Sequence, residues 1–231
     1  MRILEILPLI DWLALAFFLA GWSGYAMFAH RRGQTRESIL ATTNVYRLRW
    51  MRQAIHRDPR MLDGIITQSL SETPSFFCST TIIIIGGLIA LLGTTDKAAE
   101  LVRDFPFAQP TPMLVFEFKI LVLIAIFVYA FFRFSWSMRQ YTFVALMIGA
   151  LPPATVLAEQ HEEAEGMARR AATMTGLAAE TFNDGLRAYY FSFAAMGWFF
   201  SPLALVLATL LVIFILFGRE FRSEVLAVMR D

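Results

Sequence analysis

The sequence predicts an all-α fold, a polytopic transmembrane helix bundle forming one integral membrane domain over residues 1–231. Three observations predict it: an apolar composition, apolar runs of spanning length, and helix-start and interface residues at the ends of those runs. Of 231 residues, 57% are hydrophobic and 17% charged, and 22 Phe outnumber 20 Lys plus Arg. Mean hydropathy is +0.56, whereas soluble domains carry about 45–50% apolar and about 25% charged residues. This balance excludes a disordered chain, a nucleic-acid-coating protein and an ordinary cytosolic enzyme. The lone Cys78 excludes intrachain disulfides and cysteine metal clusters.

A spanning helix needs roughly 20 apolar residues to cross a hydrocarbon core of about 30 Å. The first such run covers 8–29; it is too long for a signal peptide, carries Asp11, and has Trp12, Trp22 and Tyr25 near its ends. Residues 30–74 follow, with eight arginines (31, 32, 36, 47, 49, 52, 57, 60) against four acids. The positive-inside rule puts this segment in the cytoplasm and the N-terminus outside, as in a multi-pass protein of the cell (inner) membrane. Within it, Leu40, Leu48, Met51 and Ile55 recur at helical spacing, and a second short helix over 59–70 repeats the pattern. Such helices need an apolar partner, either a bilayer surface with anionic headgroups or a protruding membrane helix.

The second span, 75–93, starts after Thr73-Pro74, and the third, 113–132, after Thr111-Pro112, each an N-cap hydroxyl followed by proline. The short loop 94–112 then lies outside. Residues 140–158 read either as an extra span or as a cytoplasmic continuation of the third helix. No Gly, Pro, Asn or Asp occurs between Met113 and Ile148, so a hairpin there lacks turn residues. The reading adopted is four spans with a long third helix, five remaining the alternative. The last span covers 189–217, opens on Tyr189 and Tyr190, and is kinked at Pro202.

Several runs are similar to a bacterial and plant membrane family, domain of unknown function 599. They are Arg49-Trp50-Met51-Arg52 with Arg57-Asp58; Phe76-Phe77-Cys78-Ser79-Thr80 leading to Gly86-Gly87-Leu88; and Glu117-Phe118-Lys119. The run from Tyr129 to Arg139-Gln140, and the run from Phe182 through Arg187 to Tyr189-Tyr190-Phe191, are the most specific. Cys78 departs from the pattern, where a small residue such as alanine is expected. The resemblance implies an integral membrane protein of several helices and supplies no reaction, ligand or catalytic residue.

The candidate functional positions are ionisable or polar groups in or beside spans. Glu117 and Lys119 sit in the third apolar run, where charge is costly and often functional. Two residues apart, they face different ways, so they read as snorkelling side chains or as members of an interhelical ion pair or polar pathway. Arg133 and Gln140 share one helical face and Trp136 and Arg139 a neighbouring one. These four, with Arg187, read as interface anchors, as a lipid-phosphate or anion site, or as subunit-interface salt bridges with the acids from Glu159 to Asp184. Glu159, His161, Glu162, Glu163 and Glu165 lack the Glu-x-x-His spacing of helical metal sites and read as a solvated acidic face.

No nucleophile, phosphate-loop, dinucleotide or haem motif is present, so neither catalysis nor a cofactor or metal is expected. Small residues recur at four-residue spacing at Ala16, Ala20 and Gly24, at Gly86 and Ala90 beside Gly87, and at Gly197 and Ser201. Such faces let helices approach closely in lipid. The expected role is a self-associating, non-enzymatic membrane protein, a scaffold or ancillary subunit of a membrane complex. An oligomeric ion channel or small-solute transporter is the alternative, with Phe76 and Phe77 as its constriction beside the hydroxyls of Ser79, Thr80 and Thr81. The partners expected are a bilayer with anionic headgroups and a second copy of the chain or a membrane complex, not nucleic acid.

Overall fold

A computed structural model describes residues 7–33, 38–94, 112–156 and 161–229. The predicted outside loop, almost all of 94–112, and Glu159 lie outside the described residues, as do the last residues of 140–158. All described regular elements are helical: α1 (Leu9–Gly33), α2 (Ile39–Ala54), α3 (Met61–Leu92), α4 (Met113–Gly149), α5 (His161–Met196), α6 (Pro202–Phe221) and α7 (Glu224–Val228), with 3-10 turns at Ala154–Val156 and Gly197–Phe199. Four stretches are long and apolar enough to cross a membrane: Leu9–Gly33, Met61–Leu92, Met113–Gly149 and Pro202–Val228. An all-α bundle with a long third membrane helix is therefore what the chain builds. At 1.5 Å per residue, the 37 residues of α4 extend about 55 Å, well beyond a bilayer core.

Two local expectations are corrected. Thr73-Pro74 does not start a helix; α3 begins at Met61 and runs through Pro74, so the separate short helix over 59–70 is its first part. An internal proline removes one backbone hydrogen bond, whereas the turns before it hold Asp63 and Thr67 fully inside the protein. Conversely, the apolar run 189–217 is divided. The hydroxyl of Ser201 accepts a hydrogen bond from the Ala204 amide at 3.0 Å, and Pro202 takes the first helical position. Ser201-Pro202 is thus a helix start, not a kink. Residues 140–149 belong to α4, and among the described residues of 140–158 there is no separate α-helix.

The contacts group into two units. The first comprises the described parts of Met1–His30, Thr80–Phe131 and Gly185–Arg219. In it, Trp198 lies against Asp11 of α1 and Lys119 of α4. Further along, Phe191 packs on Phe18 and Trp22, and Tyr189 on Phe127. As the α5 numbers fall, those of α1 and α4 rise, so α5 is antiparallel to both. Helix α6 runs parallel to α1: Gly21 faces Thr209 and Ile213, and Phe28 faces Phe217 at 6.2 Å. The chain therefore leaves α6 at the same end of this unit as it leaves α1.

The second unit comprises the described parts of Arg31–Ser79, Phe132–Asp184 and Glu220–Asp231. Ser38 caps α2, its hydroxyl accepting from the Ala41 amide at 3.1 Å. The apolar face of α2 (Met51, Ala54, with Ile55) packs on Val144, Ile148 and Leu151 after the long α4, and on Ala164, Ala168, Ala171 and Ala172 of α5. The end of the long α4 is thus one apolar partner of this segment, with α5 another. Burial lowers the Arg47 guanidinium pKa, with Tyr141 acting the opposite way. Glu165 is raised by desolvation, but hydrogen bonds from Arg52 and Arg169 outweigh this and hold its carboxyl below the usual range.

Arg60 joins these helix ends. Its guanidinium donates to the carbonyl of Ala54 at 3.0 Å, of Leu151 at 3.1 Å, and of Pro152. Beside it, Asp63 is fully buried and accepts from Trp50 Nε1 and from Arg57. Helix C-termini leave carbonyls without intrahelical donors, and a cation there meets both hydrogen-bonding and dipole needs. Arg60→Ala is expected to lower stability by about 2–4 kcal/mol, since charged hydrogen bonds contribute about 1.5–3 kcal/mol and are not additive. Arg60→Lys is expected to recover only part of this, having lost the planar fork. Thermal and denaturant unfolding in detergent measure both.

Candidate functional site

Unit one holds a cation and an anion that are both buried on one tryptophan. Lys119 is 4% exposed and Asp11 7% exposed. Between them stands Trp198, at the turn where α5 ends. The Lys119 ammonium donates to the Trp198 carbonyl at 2.8 Å and lies 5.4 Å from the centre of its indole ring. The indole Nε1–H donates to Asp11 Oδ1 at 2.6 Å. Phe118 packs edge-on against the same indole. One tryptophan thus presents a carbonyl and a π face to a cation and an N–H to an anion.

This arrangement has a sequence logic. Asp11 lies in the first turn of α1, where the helix dipole favours a carboxylate. The Gly197–Phe199 turn frees carbonyls that α5 no longer satisfies. Gly197 is needed there: a Cβ at this position would lie 3.1 Å from the Ala204 carbonyl oxygen. Chemically, the group is a neutral pair held through an indole. It anchors the α5–α6 turn to α1 and α4.

The predicted positions fall into distinct environments. Lys119 turns inward and does not snorkel, while Glu117, two residues before it, is half-exposed. Arg187 is buried, 4% exposed. At another level of unit one, Arg219 donates to the Tyr190 hydroxyl at 2.9 Å and stacks over its ring. The small positions Ala16, Ala20, Gly24, Gly86, Gly87 and Ala90 are all exposed. Nothing lies within 4 Å of a Cβ placed on Gly24, Gly86 or Gly87. The glycine that does pack inside is Gly21, where a Cβ would come 3.2 Å from Thr209 Cγ2.

In unit two, Arg133 forms an ion pair with Asp184. Gln140 is buried on the same face of α4, and its Oε1 has no partner among the described residues. Trp136 and Arg139 face outward, Arg139 lying over Phe143 at 5.7 Å and Trp136 meeting that ring edge-on. Phe77 packs with Phe134 and Phe182, while Phe76 is exposed. Glu165 joins Arg52 and Arg169.

Sequence reasoning singled out Lys119 but not Trp198, because the acceptor is a backbone carbonyl that no side-chain motif announces. The signal that was present is Asp11, an acid early in an apolar run that requires a donor. Coupling between the two charges is the expected consequence of the shared indole. Asp11→Asn and Lys119→Met are each expected to destabilise the protein. A double-mutant cycle on unfolding free energy is expected to show coupling of about 0.5–3 kcal/mol. Strict additivity contradicts the bridging role of Trp198.

No curated protein matches the chain, and no solved structure does. A family model described as protein of unknown function, DUF599, matches residues 13–225. That match starts within α1 and runs past the end of α6, so it takes in Lys119 and the Trp198 turn but not Asp11. The chain belongs to the DUF599 family of integral membrane proteins.

Proposed function

We propose that this protein is a non-enzymatic, self-associating membrane protein that serves as a scaffold or ancillary subunit of a membrane complex. The observation that carries this reading is the open state of its small-residue faces. Among the described residues, Ala16, Ala20 and Gly24 on α1 and Gly86, Gly87 and Ala90 on α3 are exposed, and a Cβ on any of the three glycines would meet nothing within 4 Å. Small faces earn close helix approach in lipid, where van der Waals packing drives association. The channel reading has less support, because Lys119 and Arg133 are engaged by Trp198 and Asp184.

Cysteine cross-linking tests this in a Cys78→Ser background. Ala20→Cys or Ala90→Cys is expected to give cross-linked dimers in membranes, and Leu207→Cys, on an exposed part of α6, is expected to give few. A monomer by native mass spectrometry, with equal trapping at all three positions, contradicts self-association. Selective ion flux in liposomes, altered by Lys119→Ala, favours the channel instead.

The orientation follows from charge. With the basic segment 30–74 in the cytoplasm of the cell (inner) membrane, the N-terminus lies outside and arginines meet anionic headgroups. The parallel course of α1 and α6 then supports a cytoplasmic C-terminus, with α5 as a further crossing helix. A reporter fused after Asp231 is expected to be active only in the cytoplasm; activity outside contradicts this topology.

A further inference from the structure

In the second unit, the outer faces of α3 and α4 carry residues at matched levels. Phe77 packs on Phe134 at 5.3 Å, and Arg60, just ahead of α3, donates to the Leu151 carbonyl, just after α4. The two helices are therefore antiparallel, and the course from Phe77 back to Arg60 is as long as that from Phe134 on to Leu151. Five residues in from the Phe77–Phe134 contact, Glu72 stands level with Arg139. Seven residues further, about two helical turns, Ile65 stands level with Leu146.

All four of these residues are exposed. A spacing of seven keeps Ile65 and Glu72 on one stripe of α3, and Arg139 and Leu146 on one stripe of α4. Each stripe lies opposite the buried side of its helix, which carries Asp63 and Thr67 on α3 and Ser137 and Val144 on α4. Between the helices runs an open, largely apolar groove of about 340 Å³, lined in part by the short side chains of Gly64, Ser71, Thr142 and Ala145. Short side chains let another helix approach closely. Among the described residues neither charge meets its opposite: Arg139 lies over the Phe143 ring, and Glu72 receives only a 3.3 Å contact from Gln68.

A two-fold axis along the membrane normal turns α3 of one copy onto α4 of another without changing the depth of any residue. It sets Glu72 against Arg139 of the second copy and Ile65 against Leu146 of the second copy, each contact made twice, as an isologous interface requires. Hydrocarbon would leave both charges unpaired, and anionic headgroups would suit Arg139 while repelling Glu72. A second copy satisfies both. We infer that the outer face of α3 and α4 in this unit is a homodimer interface, closed by two Glu72–Arg139 ion pairs beside Ile65–Leu146 contacts. The inference rests on the self-association proposed above and names a face for it.

Two differently tagged full-length copies, co-expressed in membranes in the Cys78→Ser background, test this by disulfide trapping. Ile65→Cys in one copy and Leu146→Cys in the other are expected to give a mixed dimer. Leu207→Cys against Leu146→Cys is the control and is expected to give little. Glu72→Arg in both copies is expected to cut the Ile65–Leu146 trapping about tenfold, because two charge pairs become like-charge contacts, and Arg139→Glu in both copies to do the same. The double reversal, Glu72→Arg with Arg139→Glu, is expected to restore it to within about twofold. Both positions are exposed, so these variants are expected to keep the wild-type melting profile. Trapping no higher than the control overturns the assignment. So does a double reversal as low as the single ones, which is the result a lipid occupant would give. Native mass spectrometry separates this failure from that of the parent reading. Dimers undiminished by every reversal keep self-association and exclude this face, whereas monomers throughout overturn both.

Discussion

Where a helix ends, up to four carbonyl groups lose their donors, and away from water each must find another. Both units of this protein meet that constraint with a cation. In the first, Lys119 supplies the donor to Trp198, whose carbonyl becomes available as α5 gives way to a 3-10 turn. In the second, Arg60 supplies donors to Ala54, Leu151 and Pro152, where α2 ends and where the chain leaves α4. The charges are not additions to a finished bundle. They permit helices to stop at these points, and each cation has an acid nearby to balance it. Asp11 does so through an indole, and Asp63 beside Arg60 accepts from Arg57 and Trp50.

The same economy of polar groups explains α5. Its residues are mixed in polarity, and hydropathy averaged around its circumference does not mark it as a membrane helix. Within the first unit, however, Ala188, Phe191, Ala194 and Ala195 are covered, and so are Arg187 and Ser192. Within the second, Ala164, Ala168, Ala171 and Ala178 are covered, and Ser137 donates to the Ala178 carbonyl at 2.7 Å. The face of a helix that other helices cover answers to protein and not to lipid. Alanine allows neighbours to approach its backbone, and polar side chains on it are satisfied by those neighbours. Hydropathy measures the wrong environment for such a helix.

This difference sets what could be read from the sequence. The fold class, the long α4 and the apolar face of α2 were legible, because composition and helical spacing report them directly. The helix boundaries were not. Thr73-Pro74 and Ser201-Pro202 carry the same local signal, a hydroxyl followed by proline. One lies inside a helix and the other begins one, and only the packing of the residues before each decides. Asp63 and Thr67 are buried ahead of Pro74, whereas Gly197 abuts the Ala204 backbone ahead of Pro202. Spacing correctly separated Glu117 from Lys119 and Arg133 from Trp136. It could not say which face turned inward, nor reveal a backbone carbonyl as partner.

The glycines of α1 carry this argument to the outer surface. Gly21 and Gly24 are one turn apart and equally small. Gly21 meets Thr209 and Ile213 closely enough that a methyl group there would press on Thr209, so its size is consumed by the fold. Gly24 meets nothing, and neither do Gly86 and Gly87 on α3. Inside a bundle, a missing side chain is explained by the neighbour that fills the space. On a lipid-facing surface that explanation is absent, and a glycine there forgoes helix propensity of about 1 kcal/mol relative to alanine without any return from this chain. A second helix in that space, as in the self-association proposed above, would give such a glycine the packing role that Gly21 has inside the bundle.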